Sequence, residues 1–270
     1  MKPLLEFGIF TDAHTASGAT MDRDHAGSPV KIRDCLSILN REGIDWTVNL
    51  GDLVDRSAAE SMGAEARHLE ALLPILARFN GRLTHVLGNH DLSGMTKQDF
   101  LERIGAPVCQ SFFAFDVQSV RCMVLDGNFN ADGSDFAPGN QDWANAWMAI
   151  NELAWLRNEL NTARNRPVIV FCHENIEPRT VNNRPDPHVL RNADEIRSLF
   201  AAHGNIRAVF QGHYHPGTSV VHDGIPYITM TSMVTGSGPD DNAFGIASVW
   251  HDGTISIRGF GRQPDIVLPS

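Results

Sequence analysis

Cysteine is scarce and unpaired in this 270-residue sequence. Cys35, Cys109, Cys122 and Cys172 form no Cys-x-x-Cys motif, which argues against a thiolate zinc site or a redox pair. Three of them sit within or beside apolar runs, the pattern of buried free thiols in a reducing compartment and not of a disulfide frame. Long apolar runs are missing as well: no stretch reaches the roughly 18 residues that a membrane span needs. No secretory-type apolar core follows Met1-Lys2-Pro3. A cytoplasmic protein with no membrane association is expected.

Basic clusters are absent too. The chain has 22 Lys and Arg against 32 Asp and Glu, a net charge of −10. Such a surface repels phosphate backbones, which argues against extended nucleic-acid binding. A small phosphorylated substrate remains compatible, provided metal cations supply positive charge at the site. What the chain does have is ordinary core material, 42% hydrophobic and 20% charged residues. A chain of this length buries a core without a structural metal, so a metal site here is expected to be functional.

Short β-rich apolar runs alternate with amphipathic stretches. Residues 4–11, 45–50 and 83–87 read as strands, separated by helices over 30–42 and 58–79. This β-α-β-α-β order predicts a parallel sheet covered by helices. A short helix near 96–104 precedes a hairpin of strands at 112–116 and 120–126. A long helix over 142–161, carrying Trp143, Trp147, Leu153 and Leu156, leads to a strand at 167–172. A helix at 192–202 and a strand at 207–211 follow. From about 218 the chain turns β-rich, with strands at 218–222, 225–230, 244–250 and 254–259 and two Asp-Gly turns. Two sheets packed face to face, with helices outside, are expected within one domain spanning 1–270. Three long polar stretches, 127–141, 174–190 and 232–242, are candidate substrate loops.

Polar clusters follow five of these strands. Asp12-Ala13-His14 follows the first, Gly51-Asp52-Leu53-Val54-Asp55 the second and Gly88-Asn89-His90-Asp91 the third. His173 follows the strand at 167–172, and Gly212-His213-Tyr214-His215 the strand at 207–211. Ligands bind beyond the carboxyl ends of strands in α/β sheets, so all five are expected at one edge. Singly, each has an ordinary reading; Gly-Asp-x-x-Asp, for example, is common at turns and helix caps. Their conjunction points to metal. Carboxylate, imidazole and amide donors without thiolate suit Mn, Fe, Zn or Ni, and seven donors fit two ions sharing a ligand. Residues two apart in extended backbone point the same way, so Asp12/His14 and His213/His215 are each expected to face the site together. Gly51, Gly88 and Gly212 mark sharp turns with close backbone approach. Of the remaining histidines, His25 and His188 lie in loops near these motifs, while His68, His85, His203, His222 and His251 read as solvated or hydrogen-bonded. Tyr214, Phe129, Phe136 and Phe244 are candidates for a base-stacking pocket.

The ordered set, over residues 7–217, resembles the calcineurin-like metallophosphoesterase superfamily. The resemblance implies a four-layered α/β/β/α sandwich of two mixed sheets flanked by helices. It also implies two divalent or trivalent transition-metal ions, Mn, Fe or Zn. One would be held by Asp12, His14, Asp52 and His215, the other by Asp52, Asn89, His173 and His213, with Asp52 bridging. His90 becomes the non-ligand histidine near the leaving group, oriented by Asp55. Arg56 matches a phosphate-contacting arginine of the Ser/Thr protein phosphatase branch, although Ser57 stands where that branch has glycine. Residues 28–55 and 190–215 are most similar to small bacterial Mn-dependent ADP-ribose/CDP-alcohol diphosphatases and cyclic-nucleotide phosphodiesterase-like members. The implied activity is hydrolysis of phosphodiesters or diphosphates in small nucleotide-like substrates by a hydroxide formed between the metals. The alternatives are a phosphomonoesterase on the same site and a non-catalytic scaffold with the same fold.

Overall fold

The computed structural model describes residues 2–106 and 110–269; Cys109 lies outside the described residues. In chain order the first strands are β1 (Leu5–Phe10), β2 (Trp46–Asn49), β3 (Arg82–His85), β4 (Phe113–Val117), β5 (Val120–Val124) and β6 (Val168–Phe171). A small ribbon, β7 (Thr180–Val181) and β8 (Arg184–Pro185), precedes β9 (Ile206–Gln211), β10 (Thr218–His222) and β11 (Ile225–Thr229). Three further strands follow: β12 (Ala243–Val249), β13 (Ile255–Gly261) and β14 (Ile266–Leu268). The helices are α1 (Ser28–Arg41), α2 (Ala64–Leu76), α3 (Lys97–Arg103), α4 (Ile150–Ala163) and α5 (Ala193–His203).

Two six-stranded sheets result, in the orders β14-β13-β12-β1-β2-β3 and β10-β11-β9-β6-β5-β4. Both are mixed: β1, β2 and β3 run parallel, as do β5, β6, β9 and β11, and antiparallel strands close the flanks. Period-2 alternation assigns the faces. Leu5, Phe7 and Ile9 of β1 meet Ile169 and Phe171 of β6 and Phe210 of β9 in the core between the sheets. The Phe7 ring sits edge-on to Phe171 and Phe210, at centroid distances of 5.5 and 5.4 Å. The alternate residues, such as Val170 and Val209, share a second core with Leu36, Leu72, Leu156 and Phe200 on the helices. This is the expected α/β/β/α layering.

Two helices are shorter than the sequence pattern predicts. The one expected over 58–79 begins at Ala64, behind Gly63 in left-handed conformation at its N-cap. The one expected over 142–161 is broken. Trp143–Asn145 form a separate 3-10 turn, and regular helix starts only at Ile150. Tertiary bonds claim the backbone between them: Trp147 N donates to Phe129 O (3.0 Å) and Arg191 N to Ala146 O (2.9 Å). Asn192 bonds Met148 twice, accepting from its N (3.0 Å) and donating to its O (2.9 Å). The strand β14 and the β7/β8 ribbon are additions to the expected set.

One buried ion pair anchors the chain leaving β5. Lys97 Nζ lies 2.6 Å from Asp126 Oδ2 and 2.9 Å from Asp135 Oδ1, and 3.2 Å from the centroid of the Phe129 ring. Burial pushes the Asp126 carboxyl up, but the Lys97 ammonium more than offsets this and holds it below its usual range. Asp126 Oδ1 in turn accepts from Asn128 N at 2.9 Å, setting the start of loop 127–141. Removing one partner strands a buried charge, at a cost of about 3–5 kcal/mol. We therefore expect Lys97→Met to lose that much stability in urea unfolding at pH 7, and Lys97→Met/Asp126→Asn to recover part of it. A single variant as stable as the parent would rule out this anchoring role.

Candidate metal centre

The five polar clusters meet at one end of the two sheets. The first sheet contributes the residues after β1, β2 and β3, the second those after β6 and β9. Hydrogen bonds join them across the interface: His213 N donates to Asp12 Oδ2 (3.0 Å), and His173 Nδ1 donates to Leu50 O (2.8 Å). The expectation that Asp12/His14 and His213/His215 alternate along extended backbone fails. Asp12, His14, Asp52 and His213 have φ of 52°, 45°, 52° and 68°. These are left-handed turns, which cost non-glycine residues of order 1–3 kcal/mol and cluster at functional sites. Tight turns aim the side chains here, not pleat.

Asp91, unassigned in the sequence reading although it ends the third motif, holds one of those turns. Its Oδ1 accepts from Leu53 N (2.9 Å) and Val54 N (3.1 Å), and its Oδ2 from Asp52 N and Gly88 N (both 3.0 Å). Burial and the adjacent Asp52 charge push its carboxyl up to about 7. Gly88 is required here, because a Cβ would come within 2.2 Å of both Asp52 N and Asp52 Oδ1. His25 braces the first turn, donating from Nδ1 to His14 O at 2.9 Å.

Asp12, His14 and His215 place donor atoms within 4.8 Å of one another, and Asp52, His173 and His213 do the same. A further set of His14, Asp52 and His90 links the two groups through Asp52. Asp12 Oδ1 lies 3.5 Å from His14 Nε2 and 3.4 Å from His215 Nε2; the two Nε2 atoms are 3.1 Å apart. Asp52 Oδ2 lies 3.1 Å from His173 Nε2 and 3.5 Å from His14 Nε2. Asp12 Oδ1, Asn89 Oδ1 and His213 Nε2 are buried without a hydrogen-bond partner. Such orphans are few in native proteins and call for an explanation. Lone pairs converging from carboxylate, imidazole and amide are the donor set of a transition metal.

The sequence profile of the calcineurin-like phosphoesterase family matches residues 5–217. The chain belongs to this family. A manganese-dependent ADP-ribose/CDP-alcohol diphosphatase of Arabidopsis thaliana is 24% identical over 97% of this phosphoesterase and 96% of its own length. The serine/threonine-protein phosphatase CPPED1 of Danio rerio is 29% identical over 64% of this chain and 54% of its own. A dimetal phosphatase from Danio rerio shares the fold, with a TM-score of 0.78, 20% identity and 99% of both chains covered.

The charges of this phosphoesterase site balance through imidazole. Burial pushes the Asp12 carboxyl up, but His14 and His215 beside it hold it well below the usual range. Asp52 is likewise held down against burial by His173, His90 and His14. Burial disfavours a charged His14, yet Asp52, Asp12 and Asp55 push it up to about 10. His173 rises well above its ordinary value for the same reason, chiefly through Asp52. His213 goes the other way, lowered by burial and by the positive field of His173. Asp55 lies against two rings: Oδ2 accepts from His14 Nδ1 (3.1 Å), and Oδ1 lies 2.9 Å from His90 Nδ1.

A cleft of about 270 Å³ opens onto this cluster, its walls including Arg23, Asn89, His90, Trp143, His188 and Tyr214. Arg56, assigned to phosphate from the family resemblance, is not in its lining. Its Nε lies 3.1 Å from Glu65 Oε1, and Glu65 is fully buried, so the carboxylate draws the guanidinium away. Arg23 is the arginine at the cleft. Of the aromatic candidates, Tyr214 lines it, while Phe129, Phe136 and Phe244 are core. Trp143, expected inside a helix, is 42% exposed at the cleft wall. Among the candidate loops, 174–190 supplies His188. Loop 232–242 is drawn onto α1, where Lys31 Nζ donates to Met233 O and Thr235 O (both 2.9 Å) and Gly236 O (2.8 Å).

Incubated with Mn²⁺ and desalted, the protein is expected to retain two ions per chain by elemental analysis, and Asp52→Asn one or none. A variant that still carried two would remove Asp52 from the shared position. Chelation should also lower the thermal midpoint of the parent, since ions that bind the native state stabilise it.

Proposed function

We infer that this phosphoesterase cleaves phosphodiester or diphosphate bonds in small nucleotide-like molecules with two transition-metal ions. The observation carrying this reading is the cluster of buried donor atoms that no protein group satisfies, at the foot of an open cleft. Asp12, His14 and His215 would hold one ion, and Asn89, His173 and His213 the other, with Asp52 between them. When bound, such ions make water acidic enough to ionise near neutral pH and offset the charge of a phosphoryl group. Manganese is the favoured identity, because relatives that span nearly the whole chain are named as manganese-dependent.

The chain's own groups then orient the substrate and move a proton. Asp55 is a positioning residue: it accepts from His14 Nδ1 and stands 2.9 Å from His90 Nδ1, turning the Nε2 of each ring towards the site. His90, one-third exposed on the cleft wall, is the group we assign, acting as the imidazolium, to pass its Nε2 proton to the leaving oxygen. Arg23 is the cation we assign to the phosphate oxygens, in place of Arg56. Diester or diphosphate is preferred over monoester because the cleft walls carry Trp143, His188 and Tyr214 beside the donor cluster, side chains suited to a second substituent on the phosphorus. The monoesterase reading is supported by the CPPED1 likeness, which covers less of the chain. The pairing of β12 with β1 supports one working domain over 1–270, and buried free thiols at Cys35, Cys122 and Cys172 support a cytoplasmic setting.

A general acid contributes about 10²–10⁴-fold. His90→Ala is expected to lower kcat by that order for a nucleoside or alkyl leaving group, and far less for p-nitrophenolate, which departs without a proton. Equal losses on both substrates would refute the acid role. Among phosphodiesters, diphosphates and monoesters, the first two should give the higher kcat/KM; a strong preference for monoesters would overturn the substrate class.

A further inference from the structure

We propose that Trp143 is the base-stacking residue of this cleft, a specificity-determining side chain that holds the nucleobase of the substrate. The proposal rests on the phosphodiesterase or diphosphatase reading above and adds the residue that selects nucleotides over other phosphate esters. Among the described residues lining the cleft, aromatic six- or nine-membered ring systems occur only at Trp143 and Tyr214. Tyr214 is already engaged by a cation: the Arg179 guanidinium lies 3.9 Å from its ring centroid. Trp143 carries no such cation and is 42% exposed. Its ring is 5.5 Å, centroid to centroid, from that of His213, so a base on the indole would sit beside the metal cluster.

An exposed indole on a loose loop would be a poor platform. This one is braced from two directions. The 3-10 turn that carries it is tied to the segment after His188: Arg191 donates to Ala144 O and, from Nε, to Asn145 Oδ1 at 3.1 Å. Asn192 closes the pair of bonds to Met148 already described. The His188 ring lies 5.3 Å from the indole, centroid to centroid, tilted 47° to it. His188 is fixed in turn, donating from Nδ1 to Asp186 Oδ1 at 2.6 Å, and Asp186 Oδ2 lies 2.9 Å from Arg179 Nε. An aromatic plane held in place before binding loses little freedom on contact, which is the condition for a stacking subsite to contribute affinity. Every base has a π-face, so the contact selects for a nucleobase without reading which one.

Calorimetry on the Mn-loaded full chain isolates the base, using adenosine 5′-phosphate and ribose 5-phosphate as ligands. Loss of a base-stacking aromatic typically weakens binding roughly 5- to 100-fold. We expect the nucleotide to bind tighter than the sugar phosphate by that order in the parent. The ratio should collapse towards one in Trp143→Ala and largely survive in Trp143→Phe, with the sugar phosphate's Kd unchanged in both. A ratio indifferent to Trp143→Ala, or an equal loss for both ligands, overturns the proposal. So does failure of both ligands to bind the parent, and turnover of bis(p-nitrophenyl) phosphate by the same preparation then tells whether the phosphoesterase reading falls with it.

Discussion

Two buried carboxylates govern the site. Asp12 and Asp52 are withdrawn from water, and no Lys or Arg among the described residues is paired with either. A buried ion without a counter-charge costs several kcal/mol. The nearest counter-charges available are imidazoles, His14 and His173, whose protonated forms these carboxylates favour. Those imidazoles are also the ligands that a divalent ion would claim, and a bound ion would displace their protons. Proton and metal compete for the same lone pairs. The Lys97–Asp126 pair uses the opposite solution, a permanent cation fixed to one carboxylate. That pair anchors a loop, whereas the histidine-balanced pair can exchange its positive charge.

The fold supplies what this charge cluster cannot supply for itself, namely direction. The residues after β1 and β2 meet those after β6 and β9, joined by the bonds from His213 N to Asp12 Oδ2 and from His173 Nδ1 to Leu50 O. Phe7, Phe171 and Phe210 lock the packing of the two sheets directly beneath the site. Four left-handed residues then turn the side chains inward, at a local cost that the surrounding bonds overcome. Asp91 does this most directly, capping three successive amides from Asp52 to Val54. Its raised pKa reflects first its burial, and then the same crowding of negative charge that attracts cations to the centre.

Much of this was legible in the residues, and for identifiable reasons. Strands and their following polar clusters announce themselves locally, through apolar runs that end in Gly-Asp or Gly-Asn-His-Asp. The order of those clusters suffices to bring Asp12, His14, Asp52, Asn89, His173, His213 and His215 to one place. The misreadings are of a different kind. The 142–161 helix follows from periodicity, but backbone bonds to Phe129, Arg191 and Asn192 override it, and nothing local marks those partners. Arg56 sits in the motif where a phosphate arginine is expected, and only the fold shows that fully buried Glu65 competes for it. Pleat alternation predicts a shared direction for Asp-x-His, yet the dihedrals are left-handed, a conformation that Asp and His adopt without any sequence flag.

Rigid and variable duties are thereby separated within one cleft. The proposed metal ligands and Asp55 stand at strand ends, where two cores fix the backbone. Trp143 and His188 stand on loops, where side chains change at little cost to the fold. Loops are usually too mobile to set a precise geometry, and this pair meets that objection by mutual attachment. Arg191 and Asn192 reach back to residues 144–148 and tie the two loops to each other. The reacting phosphorus and the group it carries would therefore be held by independent supports. A change at the loops can redirect which ester is accepted without disturbing the carboxylates that make hydrolysis possible.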